Sequence, residues 1–424
     1  MPATARCAQT PADVAGPAQT RQGNISRTDQ SLMNTKPDID WNNVVHITGQ
    51  QPSPSSPLVN YALNGLRRCW MPEHGRWSHI YHLDGRSQPN QSLPASDVFY
   101  TLNVLLGLSR LQAIPDDIDC PAIFERNVLQ LPKLPVAKYA YGMALWSAAE
   151  LKLEVPPVVA KQIETLLLDT SNWARFRAQD IGMLLTGLIA QARAGGKQWQ
   201  RFITPLYAFL AERYTSQSGL FFDEPYGLRR RFASFASQTY LTLACFHYAE
   251  FSGRLDALET AKTCTRKLIG LQGPQGEWPW FFDAERGCVL DYYEVYSVHQ
   301  YGMAPAFLEC AERHGVSEAR EALIRGFKWV LGDNQLRRSM LVPDLQLTIR
   351  SQVREKELRT SALRMVRAVR NAYLRRPADL IDPAGISVRL ECRSYELGWI
   401  LWSFGRRSDL RPLTHDPAFS TATA

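Results

Sequence analysis

The sequence lacks the patterns that indicate structural metal sites, disulfide frameworks and membrane spans. Its eight cysteines are scattered, with no CxxC pair and no Cys/His spacing typical of a zinc site, so we expect buried core thiols. No stretch reaches the roughly 18 uninterrupted apolar residues of a membrane-spanning helix. Residues 1–20 also lack the apolar centre of a secretory signal. These absences predict a cytoplasmic protein that binds no metal.

Signatures of nucleotide and nucleic-acid binding are missing as well. The sequence contains neither a Walker phosphate loop nor a GxGxxG dinucleotide fingerprint. No base-stacking motif accompanies its arginine-rich region. We therefore expect no cofactor and no nucleic-acid partner.

Helical periodicity dominates what remains, and strand signals are almost absent. Residues 1–57 are rich in Ala, Thr, Pro, Gln and Ser, which predicts a disordered tail and linker. Over residues 58–405, apolar residues recur at i, i+3, i+4 and i+7, a spacing typical of amphipathic helices. Residues 406–424 are predicted to form a C-terminal tail. The fold class is therefore predicted to be all-α.

The predicted helices fall into six consecutive pairs. They are 58–69 with 97–112, 121–131 with 136–152, 157–168 with 176–193, 198–214 with 231–252, 256–271 with 297–314, and 317–332 with 390–404. The second helix of each pair is the more apolar, which indicates an inner position.

A glycine recurs near the start of several of these inner helices, at Gly142, Gly182, Gly302 and Gly398. Glycine inside a helix costs about 1 kcal/mol relative to alanine, so its recurrence indicates close approach between crowded helices. Gly142 and Gly182 lie about 40 residues apart, a spacing typical of helical-hairpin repeats. In a ring, the helix starts would converge on one mouth, together with Lys138, Tyr139, Asp180, Ser237, Gln238, His299, Tyr395 and Glu396.

This pattern resembles the (α/α)6 toroid of six helical hairpins. That group includes six-hairpin glycosidases, polysaccharide lyases, sugar epimerases and the terpenoid cyclase and prenyltransferase folds. The resemblance covers residues 58–405 and is architectural. In addition, Gln272, Gly276 and Trp278 resemble the QW motif of triterpene cyclases, in which the glutamine closes one helix end and the tryptophan stacks over the next repeat.

Glycine-aromatic loops precede three of the inner helices: 75–79, 219–223 and 276–283. In a toroid they would rim one face and place aromatic rings on the wall of a cleft. Such rings stack on sugar faces and on isoprenoid carbocations alike. The alternative is that they only pin one hairpin to the next. The predicted substrate-binding residues are Trp77, His79, Trp278, Trp280, Tyr293, Arg393, Tyr395 and Glu396.

Two reaction types suit the candidate catalytic residues Asp97, Asp291, Glu294, Tyr296 and His299. A glycosidase needs two carboxylates across the cleft, here Asp97 and either Asp291 or Glu294, although Asp97 is also well placed as a helix cap. A lyase or C5-epimerase needs a Tyr or His base and a positive group; Tyr292, Tyr293, Tyr296 or His299 would supply the base and Arg393 the charge. His79 and His82 lack a further matched ligand, so no metal site is expected.

A terpenoid cyclase or prenyltransferase is the alternative enzyme class. The cyclases resembled by this architecture use a DxDD motif, whereas this chain has Asp116-Asp117-Ile118-Asp119, in a different order and placed where helix capping is expected. A non-catalytic toroid scaffold is the third alternative.

The segment 333–385 interrupts the repeat as a basic insertion. Arg364, Arg367 and Arg370 follow at steps of three, which predicts a basic helical stripe that faces a membrane surface, a lipid pyrophosphate or an anionic glycan, or is simply solvated. The leading hypothesis is a carbohydrate-active enzyme, a hydrolase, lyase or epimerase, in cell-envelope or exopolysaccharide metabolism. Its expected partner is a glycan or lipid-linked glycan, with peripheral contact to an anionic membrane.

Overall fold

Six helical hairpins form the body of the protein in a computed structural model that describes residues 56–358, 362–376, 378 and 383–420. The predicted disordered tail therefore lies almost wholly outside the described residues. The α-helices are α1 (Pro57–Cys69), α2 (Pro94–Leu108), α3 (Cys120–Val128), α4 (Tyr139–Leu151), α5 (Pro157–Leu168), α6 (Ala178–Arg193), α7 (Gln200–Arg213), α8 (Phe235–Ser252), α9 (Leu255–Leu271), α10 (Ala304–Arg313), α11 (Ala319–Leu331), α12 (Ala362–Leu374), α13 (Ser394–Phe404) and α14 (Arg411–Thr414).

The inner helices close into a ring. Helix α2 contacts α4, α4 contacts α6, and α6 contacts α8. Helix α8 contacts α10, whose first turn is a π-helix over His299–Met303, and α10 contacts α13, which packs back on α2. The outer helices α1, α3, α5, α7, α9 and α11 each precede one inner helix. This closure confirms the predicted all-α (α/α)6 toroid.

Glycines lie where the inner helices touch, as their recurrence predicted. A Cβ atom on Gly142 would lie only 2.5 Å from the backbone nitrogen of Leu184, and one on Gly182 would lie 2.8 Å from the carbonyl oxygen of Tyr240. Gly107 of α2 and Gly398 of α13 face each other so closely that a Cβ on Gly107 would overlap the Gly398 carbonyl. Close packing between helix backbones therefore explains why glycine recurs at these positions, although it destabilises an isolated helix.

Within the described ranges, thirteen short strands lie in the segments between the helices. They are β1 (Trp70–Met71), β2 (Arg76–Trp77), β3 (Ile80–His82), β4 (Asn90–Gln91), β5 (Phe232–Ser234), β6 (Phe281–Asp283), β7 (Cys288–Asp291), β8 (Val295–Tyr296), β9 (Leu341–Val342), β10 (Leu347–Thr348), β11 (Ser351–Arg354), β12 (Ile386–Arg389) and β13 (Glu391–Cys392). The sequence did not reveal them because two to four residues are too few to show an alternating pattern.

These strands join distant parts of the chain. Antiparallel pairing of β13 with β3 sets Glu391 opposite His82, and β4 extends the same sheet. Strand β11 pairs with both β8 and β12, and β6 pairs with β5 and β7; β1–β2 and β9–β10 are separate hairpins. The β13–β3 and β11–β8 pairs carry the insertion and the end of the chain to the mouth of the ring.

Two predictions about the periphery need correction. Arg364 and Arg367 of α12 do not form a solvated stripe, because both turn inward to buried carboxylates. The predicted C-terminal tail, 406–424, packs on the body in its described part, since Phe419 is buried and its ring centroid lies 5.5 Å from that of Tyr61. Six of the seven described cysteines are buried, as expected for core thiols. Within the described residues, no helix is both long and apolar enough to span a bilayer.

Candidate functional site

A cavity of about 180 Å³ opens where the inner helices begin. Two histidines, four tyrosines and one phenylalanine line it, together with small and aliphatic residues. Three of its residues, His79, His299 and Tyr395, were predicted as site residues. Sequence patterns did not single out Tyr100 and Tyr240 and indicated Tyr139 only as a helix-start residue. The predicted convergence of helix starts is therefore real, but the wall consists largely of helix residues rather than of the glycine-aromatic loops.

His79 lies between β2 and β3 and is nearly inaccessible to solvent. Its Nε2 atom lies within hydrogen-bond distance of Nη1 of Arg393. A guanidinium can only donate, so Nε2 accepts and the ring proton sits on Nδ1. Burial, and after it the charges of Arg393 and Arg350, lower the pKa of His79 to about 2. The ring stacks on Tyr100 at 5.0 Å between centroids and is a neutral imidazole.

His299 opens the π-helical turn before α10, on the fifth hairpin, whereas His79 belongs to the first. Its ring lies 4.5 Å from that of Phe235 and 5.1 Å from that of Tyr296. Burial lowers its pKa to about 3, and the charge of Arg350 acts in the same sense. Its Nδ1 atom has no hydrogen-bond partner among the described residues. The cavity therefore holds a second uncharged imidazole.

Arg350 is the cation common to both histidines. It donates to Glu396 at 2.9 Å, lies 3.4 Å from Glu391, and stacks over the Tyr296 ring at 4.9 Å. Glu396 also accepts from Tyr301 at 3.1 Å. Burial raises the pKa of Glu396 to about 7 despite the arginine beside it. Predicted residues Arg393 and Glu396 thus lie behind the wall and support it.

Glu294 is held among cations and does not line the cavity. Arg389 donates to it at 2.8 Å and Arg364 at 2.9 Å, and Ser351 and Tyr296 also contact it. Burial by itself would raise the pKa of Glu294, but the two arginines outweigh it and lower the pKa to about 2. A carboxylate that stays ionised cannot act as a general acid, so the structure places Glu294 in a structural network. Tyr296 lies between this network and His299.

The other predicted acids are also engaged. Asp291 forms a two-pronged ion pair with Arg354, at 2.6 and 2.9 Å, in a buried setting that raises its pKa. Asp97 accepts from the backbone nitrogen of Leu93 at 3.1 Å and from the Ser92 hydroxyl at the start of α2. Asp97 is therefore not the N-cap residue, which is Leu93, but lies in the first turn of α2 and binds back to the backbone nitrogen of that cap. Neither carboxylate lies on the cavity wall.

Three of the predicted aromatic contacts are core contacts instead. Trp77 donates its indole proton to the Leu66 carbonyl at 3.1 Å, and Trp278 is fully buried beside Phe235. Tyr293 is equally buried. Placement of these rings on the cleft wall was wrong, because the loops turn them inward to join hairpins. Trp280 is partly exposed but lies under α12, with the Arg364 guanidinium 4.9 Å above its ring.

The Gln272 loop makes the contacts expected of its motif. The Gln272 amide donates to the carbonyls of Gly276, at 2.8 Å, and of Ala322 in α11, at 3.0 Å. Asp119 of the acidic run caps α3 through the Ala122 nitrogen at 3.0 Å, and His82 bonds to Gln91 at 2.8 Å rather than sharing a ligand with His79. These groups stabilise the ring and do not reach the cavity.

A stability change is predicted from the Glu294 network. Glu294→Gln is expected to lower the free energy of unfolding at pH 7 by about 3 kcal/mol, because it leaves buried arginine charge without its partner. This contribution is complete above the unfolded glutamate pKa of about 4.5 and is lost as the pH falls toward 2. Urea unfolding measures it. Glu285→Gln, which breaks a pair with Arg231 at an exposed carboxylate, should cost under about 0.5 kcal/mol; equal losses would contradict the assignment.

Comparison with known proteins gives no sequence relative but several structural ones. No protein-family model matches the sequence, and no curated protein matches it significantly. An inactive variant of the α-1,6-mannanase of Salegentibacter sp. HEL1_6, in complex with α-1,6-mannotetrose, is similar with a TM-score of 0.51 at 9% identity, covering 82% of this chain and 97% of that one. The unsaturated glucuronyl hydrolase specific for heparin is similar with a TM-score of 0.52 at 12% identity, and the match covers 85% of this chain and 98% of that one. The unsaturated glucuronyl hydrolase of Bacillus sp. GL1 has a TM-score of 0.50 at 13% identity, and the match covers 87% of this chain and 98% of that one.

The chain has the (α/α)6 toroid fold of the six-hairpin glycosidases. At these identities the likeness establishes the fold alone.

Within this toroid, some site residues left no signal in the sequence. Tyr100 and Tyr240 lie one to two turns inside apolar helices, where a tyrosine is ordinarily a core residue. Arg350 lies in the insertion, and long-range contacts place it beside the histidines: β11 pairs with β8, the Ser297 N–H donates to the Arg350 carbonyl, and the Arg350 N–H donates to Glu391. A sequence signal did exist for Tyr139, which opens the second inner helix.

Proposed function

We propose that the toroid is a carbohydrate-active enzyme that binds one sugar unit in the cavity and transfers a proton at a carbon atom, as epimerases and lyases do. One observation carries this proposal. Two neutral imidazoles, from the first and fifth hairpins, line the same cavity, while the predicted carboxylates lie outside its wall. A proton-transfer enzyme needs uncharged bases, and a glycosidase needs a facing carboxylate pair.

The size and lining of the cavity support a small, polar ring as substrate. Sites for drug-sized ligands measure about 300–1,000 Å³, and 180 Å³ is well below that range. Tyr100 and Tyr395, whose ring centroids lie 4.5 Å apart, both line the cavity and bring phenol groups that can hydrogen-bond to a sugar. We infer a monosaccharide or the terminal residue of a glycan, rather than the interior of a polymer.

The proposed reaction uses one histidine on each side. His299 removes the proton from a carbon next to a carbonyl, and the electron pair moves onto the carbonyl oxygen. The positive charge of Arg350, which already influences both imidazoles, favours that developing oxyanion. His79 then delivers its Nδ1 proton to the opposite face, which inverts the carbon. His299 ends the turnover with one extra proton and His79 with one fewer, and proton exchange with water returns both imidazoles to their neutral forms. In a lyase, the same carbanion instead expels a leaving group from the neighbouring carbon.

Solvent-isotope exchange tests the proposal on any sugar that the cavity accepts. The full chain is incubated in D2O with a panel of aldoses, disaccharides with a reducing end, and uronic acids, and deuterium is located by NMR. One deuterium on the carbon beside the carbonyl, together with its epimer, is expected; an unsaturated product would assign a lyase. Release of sugar from glycosides, without carbon-bound deuterium, would refute the proposal in favour of hydrolysis.

The pH profile should show the effect of burial on the base. Because the pKa of His299 is lowered to about 3, the imidazole stays uncharged, and active, well below the ordinary histidine pKa of about 6.5. The acid limb of kcat/KM is therefore expected below pH 5, measured where circular dichroism shows the fold unchanged. A midpoint near 6.5 would show that the base is a solvated histidine and not His299.

A further inference from the structure

Helix α12 has the reverse of the usual distribution of polar and apolar side chains. Its inward face carries arginines: Arg364 reaches Glu294 at 2.9 Å and Arg367 reaches Glu357 at 2.6 Å. Small side chains, Ala368 and Ala372, fill the gaps between them against the loop core. The helix is thus attached to the body by ion pairs and close packing.

The outward face of α12 is apolar. Leu363, Val366, Tyr373 and Leu374 are 48%, 65%, 66% and 57% exposed. Their spacing of three, seven and one residues places them on one side of the helix. Exposed arginines stand among and after them, at Arg370, Arg375 and Arg376. The sequence from 358 to 378 contains no acidic residue.

A second segment adds residues of the same kind. Between α7 and α8, Leu228 is 85% exposed and Tyr226 46% exposed, and Arg229 is also exposed. Strand β5 follows this segment directly and pairs with β6. The turn after β6 contacts α12, since Arg286 donates to the Ala372 carbonyl at 3.5 Å. Helix α12 therefore packs beside the sheet into which the segment 226–229 leads, just before α8, whose first residues include Ala236 on the cavity wall.

We propose that α12 and the segment 226–229 form a docking surface for an anionic lipid membrane. Leucine, valine and tyrosine side chains would enter the interface, and the arginines would meet lipid phosphates. This inference does not depend on the sugar chemistry. Docking through this surface would hold the cavity mouth close to the membrane.

Charge favours an anionic membrane over two other occupants of this surface, a second copy of the chain and residues 1–55. A symmetric contact with a second copy would bring the same arginines face to face, which is repulsive. Residues 1–55 contain four basic and four acidic residues, so they offer no net charge to complement a cationic surface. An anionic bilayer complements both the charge and the apolar residues.

Vesicle co-sedimentation of the full chain tests the proposal. Binding to phosphatidylcholine vesicles that contain phosphatidylglycerol should exceed binding to pure phosphatidylcholine by about tenfold or more, and should weaken with salt. The variants Val366→Ser with Leu374→Ser, and Arg370→Gln with Arg375→Gln, should each lose about tenfold in affinity. Leu255→Ser is the matched control, because this leucine is 74% exposed at the start of α9, on the opposite face of the ring, and its loss should leave binding unchanged.

Three outcomes would overturn the proposal. They are no binding to anionic vesicles, equal binding to neutral ones, and unchanged binding in both double variants. Light scattering of the protein without lipid adds a fourth: a dimer that Val366→Ser with Leu374→Ser dissociates would assign the surface to a second copy. Circular dichroism of every variant separates loss of binding from loss of fold.

Discussion

His299→Ala is expected to abolish carbon-bound deuterium incorporation, lowering its rate by about 100-fold or more. The reason is that His299 is an uncharged imidazole on the cavity wall, while Tyr296, its neighbour, has its pKa raised by burial and is a weak base at neutral pH. Alanine leaves the cavity without the base on this side. The exchange rate of a substrate identified in the isotope screen is the measurement.

Two controls separate a chemical role of His299 from a packing role. His82→Ala removes a nearby histidine that bonds only to Gln91 outside the cavity, and it should leave the rate unchanged. Added imidazole should partly restore exchange in His299→Ala, because a small base can occupy the vacated space. If His299→Ala keeps its exchange rate while retaining its circular dichroism spectrum, His299 is not the base.

His79→Ala should separate the two steps of the reaction. Removing the proton donor on the opposite face should stop epimer formation while exchange on the His299 side continues at a reduced rate. The same D2O assay resolves the two, since exchange without inversion leaves the starting sugar labelled. Equal loss of both would indicate that His79 positions the substrate rather than donating the proton.

The fold could be predicted from the sequence because helix periodicity and glycine recurrence are local signals. The sequence predicts all twelve ring helices, with ends within about four residues of those observed when the π-helical turn His299–Met303 is counted with α10. The π-helical turn at His299 was read as ordinary helix, since its sequence has the same apolar spacing. A helical ring places helix starts together by geometry, so the common mouth followed from the fold.

The site was only partly predictable because its support comes from long-range pairing. His79 and Arg393 are 314 residues apart, and the β13–β3 pair, with a hydrogen bond from Ser394 to the Ser78 carbonyl, brings them together. The carboxylates were misjudged for a related reason. Glu294 is separated by 70 residues from Arg364 and by 95 from Arg389, so nothing in its local sequence shows that it is neutralised. Tryptophans beside glycines in these loops predict aromatic rings on the rim of the cleft. The direction in which each loop turns is not visible in the sequence, and it places Trp77 and Trp278 in the core.

Replacing Gly142 and Gly187 together by alanine is expected to leave little or no folded protein. Helices α4 and α6 touch through these two glycines: a Cβ on Gly142 would overlap the α6 backbone at Met183 and Leu184, and one on Gly187 would overlap the Gly142 carbonyl. Overpacking a core costs about 1–3 kcal/mol per site, and more where backbone must move. Two such changes approach the whole stability of a domain, about 5–15 kcal/mol.

The matched control lies in an outer helix of the same ring. Gly270 is helical in α9, and a Cβ there would meet nothing within 4 Å. Gly270→Ala should therefore raise the free energy of unfolding by up to about 1 kcal/mol, through helix propensity and a less flexible unfolded chain. Chemical denaturation of the single variants measures both changes in the free energy of unfolding, a decrease for Gly142→Ala and an increase for Gly270→Ala. Gly142→Ala that is as stable as Gly270→Ala would show that the inner helices have room to separate, in which case a cavity of fixed 180 Å³ could not persist between them.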